Sequence, residues 1–280
     1  MKIGGYEIFA IETGRFALDG GAMFGVVPKV LWEKSNPPDE KNRIELALRC
    51  LLLRGNNRII LIDTGIGFDW EDKFKNIYKI YNSKNTLIDN LSEHKVSAAD
   101  ITDVILTHLH FDHTGGTTYI EKDDHKLTFP NAIHHVQEEQ WEWALNPADK
   151  DRASFVKNNF LLLERNKRLN KLNASGRLFD DIDLLVMYGH TQGMQLVKIS
   201  DNRETLLFCS DLIPTASHIS VPWVMAYDNN PLTTIAEKKR LLPQAFEERW
   251  ILFFEHDPFR AACQIINNDK GFVLGNDVTI

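Results

Sequence analysis

The chain has 280 residues, 43% hydrophobic and 25% charged, enough to bury a large core as one domain over residues 1–280. A formal net charge of -7 argues against a nucleic-acid partner, whose phosphate backbone asks for a basic face. No run approaches the ~18 apolar residues of a membrane span, the opening residues read as a strand rather than a signal peptide, and Cys50, Cys209 and Cys263 form no CxxC pair. A cytoplasmic protein with buried free thiols is expected.

Short apolar runs predict strands at residues 6–13, 43–54 and 58–62. Between the first two, residues 19–34 mix glycines with Met23, Phe24, Val26, Val27 and Trp32, too irregularly for a clean helix or strand. Such a segment is a flap over an apolar substrate, a dimer contact, or a loop tucked into the core. Asp63 ends the third strand in the turn DTGIG, where a carboxylate can bond loop N–H groups or the second nitrogen of a metal-bound histidine. Helices follow at 70–81 and 86–94, then a strand at 104–106. Beyond it come a strand at 132–136, a helical region at 137–172 interrupted near Pro147, and strands from Ile182, Gln195 and Leu206. A last helix begins near Thr234, with Thr234 and Glu237 as a capping box and Pro243 bending or shortening it. A strand from Ile251 and a weak tail end the chain.

The densest chemistry lies in THLHFDHTGG, residues 107–116, which places His108, His110, Asp112 and His113 within six residues after an apolar strand. Residues two apart on a strand share a face, so His108 and His110 aim to one side. Imidazoles and carboxylates crowded this closely need a cation to organise them. Three further candidates end later strands: His190 in YGHTQGMQ, Asp211 in TLLFCSD and His256 in LFFEHDP. His134 and His135 are adjacent on a strand and point to opposite faces; with His94 and His125 they stay outside the site. Trp141 and Trp143 read as packing or lid residues.

HxHxDH followed by Gly-Gly, with the GHT turn, the later Asp and the late EHDP, resembles the metallo-β-lactamase superfamily over nearly the whole chain. The resemblance implies an α/β fold, a four-layer αββα sandwich. It implies one metal on His108, His110 and His190, a second on Asp112, His113 and His256, Asp211 bridging them, and Asp63 bracing the histidine loop. Five histidines and two aspartates without a thiolate suit two divalent ions, zinc foremost, with iron, manganese and cobalt admissible. In such enzymes a hydroxide between the metals attacks a carbonyl or phosphoryl centre, and Asp112 orients it or carries a proton. Met194 stands where many members carry a second histidine.

Within the superfamily the layout is most similar to quorum-quenching N-acyl homoserine lactonases and their phosphotriesterase-like relatives. Some of these carry a tyrosine three residues after the bridging acid, where this chain has Pro214, so His218 or Tyr227 is expected to orient the substrate instead. Residues 211–228 also offer Trp223, and residues 19–34 offer Met23 and Phe24, as a lining for an acyl tail. The leading expectation is a dinuclear metal hydrolase opening a small-molecule lactone or related ester, with a homodimer left open. The alternatives are a thioesterase of the hydroxyacylglutathione type, a phosphotriesterase, and, from a different class, a non-catalytic metal-binding scaffold.

Overall fold

Alternate residues of the same strands feed different cores, and this divides the chain into layers. The computed structural model describes residues 1–81 and 86–280. One sheet contains, in spatial order, β1 (Lys2–Ile3), β2 (Tyr6–Asp19), β3 (Arg43–Gly55), β4 (Arg58–Ile62), β5 (Asp103–Ile105), and then β8 (Ile133–Gln137) and β9 (Leu169–Leu172); β6 (Thr118–Glu121) and β7 (Asp124–Leu127) pair apart from it as a hairpin. The second sheet runs in chain order: β10 (Gly176–Phe179), β11 (Ile182–Met187), β12 (Met194–Ser200), β13 (Thr205–Phe208), β14 (Ile251–Phe253), β15 (Ala262–Asn268) and β16 (Gly271–Val278).

Leu51, Leu53, Ile60 and Ile62 pack between the sheets against Val197, Ile199, Leu206 and Phe208. Their neighbours Cys50, Leu52 and Leu61 turn the other way, onto Leu87 and Leu91 of helix Thr86–Glu93 and Trp141 of helix Glu138–Leu145. On the far side Leu196, Leu207 and Leu252 cover helix Pro231–Glu247 through Leu241, Leu242 and Ala245. The period of two along each strand therefore yields the expected helix, sheet, sheet, helix order. β4, β5 and β8 run parallel, as do β13 and β14. Their C-terminal ends reach one rim, where open α/β sheets keep their ligands.

Several elements differ from the pattern reading. Residues 137–172 are not one helical region: helix Glu138–Leu145 gives way to 3-10 turns, a short helix Leu161–Arg165 and edge strand β9. The last helix starts at Pro231, whose fixed φ suits the first turn. The capping box does not form there. Glu237 instead accepts the N–H groups of Tyr188 and Gly189 at 2.6 and 3.2 Å, bracing the turn that carries His190. The helix also runs through Pro243 to Glu247, because Leu242 and Ala245 are held in the core on either side. The tail is no weak end but the β15–β16 hairpin that completes the second sheet. Asp19 accepts the Ala22 N–H at 2.9 Å and starts a helical turn, Gly20–Phe24, inside the segment expected to be irregular. Among the described residues no helix is long and apolar enough to cross a membrane.

Candidate metal centre

Two close backbone approaches set the histidine loop. A Cβ on Gly115 would lie 2.0 Å from the Ile66 carbonyl oxygen, and one on Gly116 2.2 Å from that of Thr64, so only glycine lets the two loops meet. The Thr64 N–H then donates to the His113 carbonyl at 2.8 Å. Asp63, at φ 57, turns its carboxylate under the loop and accepts the N–H and hydroxyl of Thr107 at 2.7 and 2.6 Å.

Above this base the seven expected ligands converge in two groups. His108, His110, His190 and Asp211 each present one ligand atom, as do Asp112, His113 and His256, and within each group these atoms lie within 4.8 Å of one another. His110 Nδ1 is 3.0 Å from His108 Nε2 and 3.1 Å from His190 Nε2. His113 Nε2 and His256 Nε2 are 3.3 Å apart. Asp211 stands between: Oδ2 is 3.2 Å from His190 Nε2, and Oδ1 is 3.3 Å from His256 Nε2. Four ligands around a tetrahedral ion at bond lengths of ~2.05 Å are separated by ~3.3 Å, so this donor spacing fits a divalent ion in each group. Asp211 Oδ1 is buried and has no hydrogen-bond partner, as a cation-facing oxygen would be left without one.

The outer nitrogens are tied down. His108 Nδ1 donates to Thr107 Oγ1 at 3.1 Å, His113 Nδ1 to Asp63 Oδ2 at 3.0 Å, His190 Nδ1 to Asp228 Oδ1 at 3.0 Å, and His256 Nδ1 to the Ala47 carbonyl at 2.9 Å. These bonds orient each ring and leave the inner nitrogen free to bind an ion. Burial, reinforced by neighbouring imidazoles, holds His108 and His110 well below the ordinary histidine range. Burial opposes charge on His256 as well, but Asp211 and Glu255 carry it up to about 9. Burial would raise the Asp211 carboxyl, yet His113, His190 and His256 hold it well below the usual carboxylate range.

Arg49 fixes the His256 loop. It is buried at 3% exposure, pairs with Glu12 at 2.6 Å and donates to the Phe254 and Asp257 carbonyls at 2.8 and 3.1 Å. Arg49→Met strands these acceptors and is expected to cost about 3 kcal/mol. An unchanged urea midpoint would contradict this role.

A cavity of ≈ 240 Å³ opens over the centre, lined by Met23, Leu18, Leu46, Tyr78, Phe111, Lys150 and Tyr227 beside His110, Asp112, His190, Asp211 and His256. Of the five residues expected to meet substrate, the structure brings Met23 and Tyr227 into this wall. Phe24, His218 and Trp223 lie behind it. Phe24 is fully buried, stacked on Trp32 and on His218 with centroids 5.1 and 4.8 Å apart, and Trp223 meets its edge. His218 is already committed: Nε2 donates to the Met23 carbonyl and Nδ1 accepts from Thr215 Oγ1, both at 2.8 Å. It latches the Met23 segment to residues 211–228 rather than donating to a substrate.

That latch titrates. Burial pulls His218 from 6.5 down to about 4. Between those values the unfolded chain binds more protons, so its contribution is complete above pH 6.5 and is lost as pH falls toward about 4, in total about 3 kcal/mol. His218→Gln should flatten this part of the acid limb in urea unfolding; an identical acid slope in parent and variant would refute the assignment.

Pattern reading missed Glu255, Asp228, Lys150, Tyr78 and Phe111. Glu255 had a signal, a carboxylate closing an apolar strand next to His256, and Phe111 lay inside the histidine motif itself. Asp228, Lys150 and Tyr78 reach the site from segments with no local signature. His94, His125, His134 and His135 supply no ligand atom to either group, and the three cysteines are buried and free.

Comparison with known proteins agrees with this geometry. The chain is 24% identical over 276 residues, 85% of either chain, to a probable metallo-hydrolase of Mycobacterium bovis. Its fold superposes at a TM-score of 0.89 and 28% identity on a probable metal-dependent hydrolase from Staphylococcus aureus, covering 100% of both chains. It also superposes at a TM-score of 0.82 and 21% identity on AidC, a dizinc quorum-quenching lactonase solved with a product bound, covering 100% of this chain and 97% of that one. The model of the Metallo-beta-lactamase superfamily matches residues 46–256, spanning the histidine motif through His256, and the chain belongs to that superfamily as a metal-dependent hydrolase.

Proposed function

We propose that this chain hydrolyses a neutral lactone or related carboxylic ester bearing an apolar acyl tail. His108, His110 and His190 would hold one divalent ion, zinc foremost, and Asp112, His113 and His256 a second. The observation that carries the two-ion reading is Asp211, whose two oxygens each face a different histidine group at 3.2 and 3.3 Å. Bound there, the ions would lower the pKa of water toward about 7 and polarise the ester carbonyl.

The chain's own residues do the rest. Tyr227 and Tyr78 line the cavity from opposite segments, and their hydroxyls can donate to the substrate's carbonyl oxygens. Burial raises both phenols above their ordinary value, so they stay protonated donors. Asp112 lines the same cavity; it accepts the proton of the attacking water and returns it to the departing alkoxide. Met23, Leu18 and Leu46 exclude bulk water from the reacting bond. Past Phe111, Tyr78 and Ala153, which belong to both walls, lies a second cavity of ≈ 310 Å³ faced by Ile66, Trp70, Phe74 and Ile120, an apolar space of the right kind for a tail.

Lys150 favours a neutral substrate over a hydroxyacylglutathione. It is the one lysine or arginine among the described residues lining the metal cavity, and its Nζ already donates to the Tyr227 and Asp228 carbonyls at 2.8 and 2.9 Å. The carboxylates of glutathione would find no free cation. Similarity to lactonases solved with N-hexanoyl-L-homoserine bound points the same way. The test is hydrolysis of a long-chain acyl homoserine lactone by zinc-loaded protein, against chelated protein. Ring opening that needs the metal supports the reading; no turnover by protein carrying two ions per chain, with hydrolysis of thioesters or phosphotriesters instead, overturns the lactone assignment.

A further inference from the structure

His113 has two carboxylates on its outer edge, and Asp63 alone would satisfy it. The Nδ1–H bonds Asp63 Oδ2 at 3.0 Å, while Glu255 Oε2 also lies 3.0 Å from the same nitrogen. Asp63 has other work, accepting both the N–H and the hydroxyl of Thr107. Glu255 has none: it is fully buried, its Oε1 has no hydrogen-bond partner, and its Oε2 meets the His113 nitrogen. A buried carboxylate is costly unless a donor meets it. The donor it faces is the His113 Nδ1–H, on a ring whose inner Nε2 points at Asp112, Asp211 and His256 at 3.9, 3.6 and 3.3 Å.

We propose that Glu255 is a positioning residue, which by contact with the outer edge of His113 strengthens that ring as a donor and makes the Asp112–His113–His256 group the tighter of the two ion sites. A second carboxylate on a metal-bound imidazole raises its basicity and limits its rotation. No ring in the other group has such a pair: His108 leans on a hydroxyl, His190 on the single carboxylate of Asp228, and the outer nitrogen of His110, Nε2, is without a partner. The asymmetry between the groups is thus built from side chains outside the ligand set. The inference rests on the two-ion centre proposed above.

The experiment is competition of zinc against a chromophoric chelator, with the parent, Glu255→Gln and Glu255→Asp. Gln keeps the shape and gives up the carboxylate; Asp keeps the carboxylate and withdraws it from contact. In the parent two ions should bind with distinct affinities, and in Glu255→Gln the tighter should weaken by about 10–100-fold while the other holds. Glu255→Asp should weaken the same site, and serves as the folded variant if Gln does not fold. In the Gln variant the visible spectrum of the protein at full cobalt occupancy should shift, which mere loss of stability would not produce. Two ions bound with parent affinities by either folded variant overturns the role of Glu255 alone; a parent that takes up fewer than two ions overturns the two-ion centre and this inference with it.

Discussion

Asp211→Asn is expected to lower kcat/KM for any ester this protein turns over by more than the roughly 10–100-fold that changes around metal ligands cost, and to bring the bound ions below two per chain. Among the described residues the carboxylate is the only group presenting an oxygen to both histidine groups, with Oδ2 3.2 Å from His190 and Oδ1 3.3 Å from His256. An amide keeps the shape but turns an NH2 toward one group, where a cation needs a lone pair, and removes a full negative charge from between the two proposed ion sites. The backbone should tolerate the change, since Asp211 lies on a 3-10 turn held by the Leu212 N–H to Cys209 carbonyl bond at 3.3 Å and not by its own side chain. Steady-state kinetics with metal analysis on the same sample decides it. Parent-level turnover by the asparagine protein would remove Asp211 from the mechanism and favour the scaffold reading.

Removal of metal should lower thermal stability by about 5–10 °C for each ion removed. Without ions, five imidazoles and two carboxylates converge with lone pairs facing one another, and the charge that offsets Asp211 has to come from protons on His113 and His256, both raised by neighbouring acids against the pull of burial. An ion present at 100 times its dissociation constant stabilises the native state by about 2.7 kcal/mol, and for a chain near this size each kcal/mol moves Tm by about 2–4 °C. The measurement is a melting scan with excess zinc and again after chelation and buffer exchange. Coincident melts from samples differing by two ions per chain would mean that the site forms as readily in the unfolded chain, which the separation of its ligands from residue 108 to residue 256 makes implausible on entropic grounds.

The amount legible in the sequence follows how local each feature is. THLHFDHTGG stands out because four candidate ligands, the strand that presents them and the glycines that let the loop pack are contiguous. His190, Asp211 and His256 could be read because each ends an apolar strand, and parallel strands of one sheet end on one rim. The four layers were legible through the period of two, which assigns Leu51 and Leu53 to one core and Cys50 and Leu52 to another. Where helical and strand patterns compete over short apolar runs, pattern reading failed: Leu169–Leu172 is an edge strand because its hydrogen bonds go to β8, a partner that no local propensity identifies.

What the sequence by itself determined is the family to which the chain belongs and the candidate donors that its strand ends bring together. What only the tertiary structure decided is the setting of that chemistry. Glu255 and Asp63 meet on His113, Asp228 backs His190, His218 is spent on the Met23 carbonyl, and Tyr78, Lys150 and Tyr227 close a cavity from three distant segments. Ligand type and strand period are encoded within a few residues. Which carboxylate shares an imidazole, or which tyrosine faces a cavity, depends on contacts made across up to 209 positions of chain, and such pairings are fixed when the layers pack.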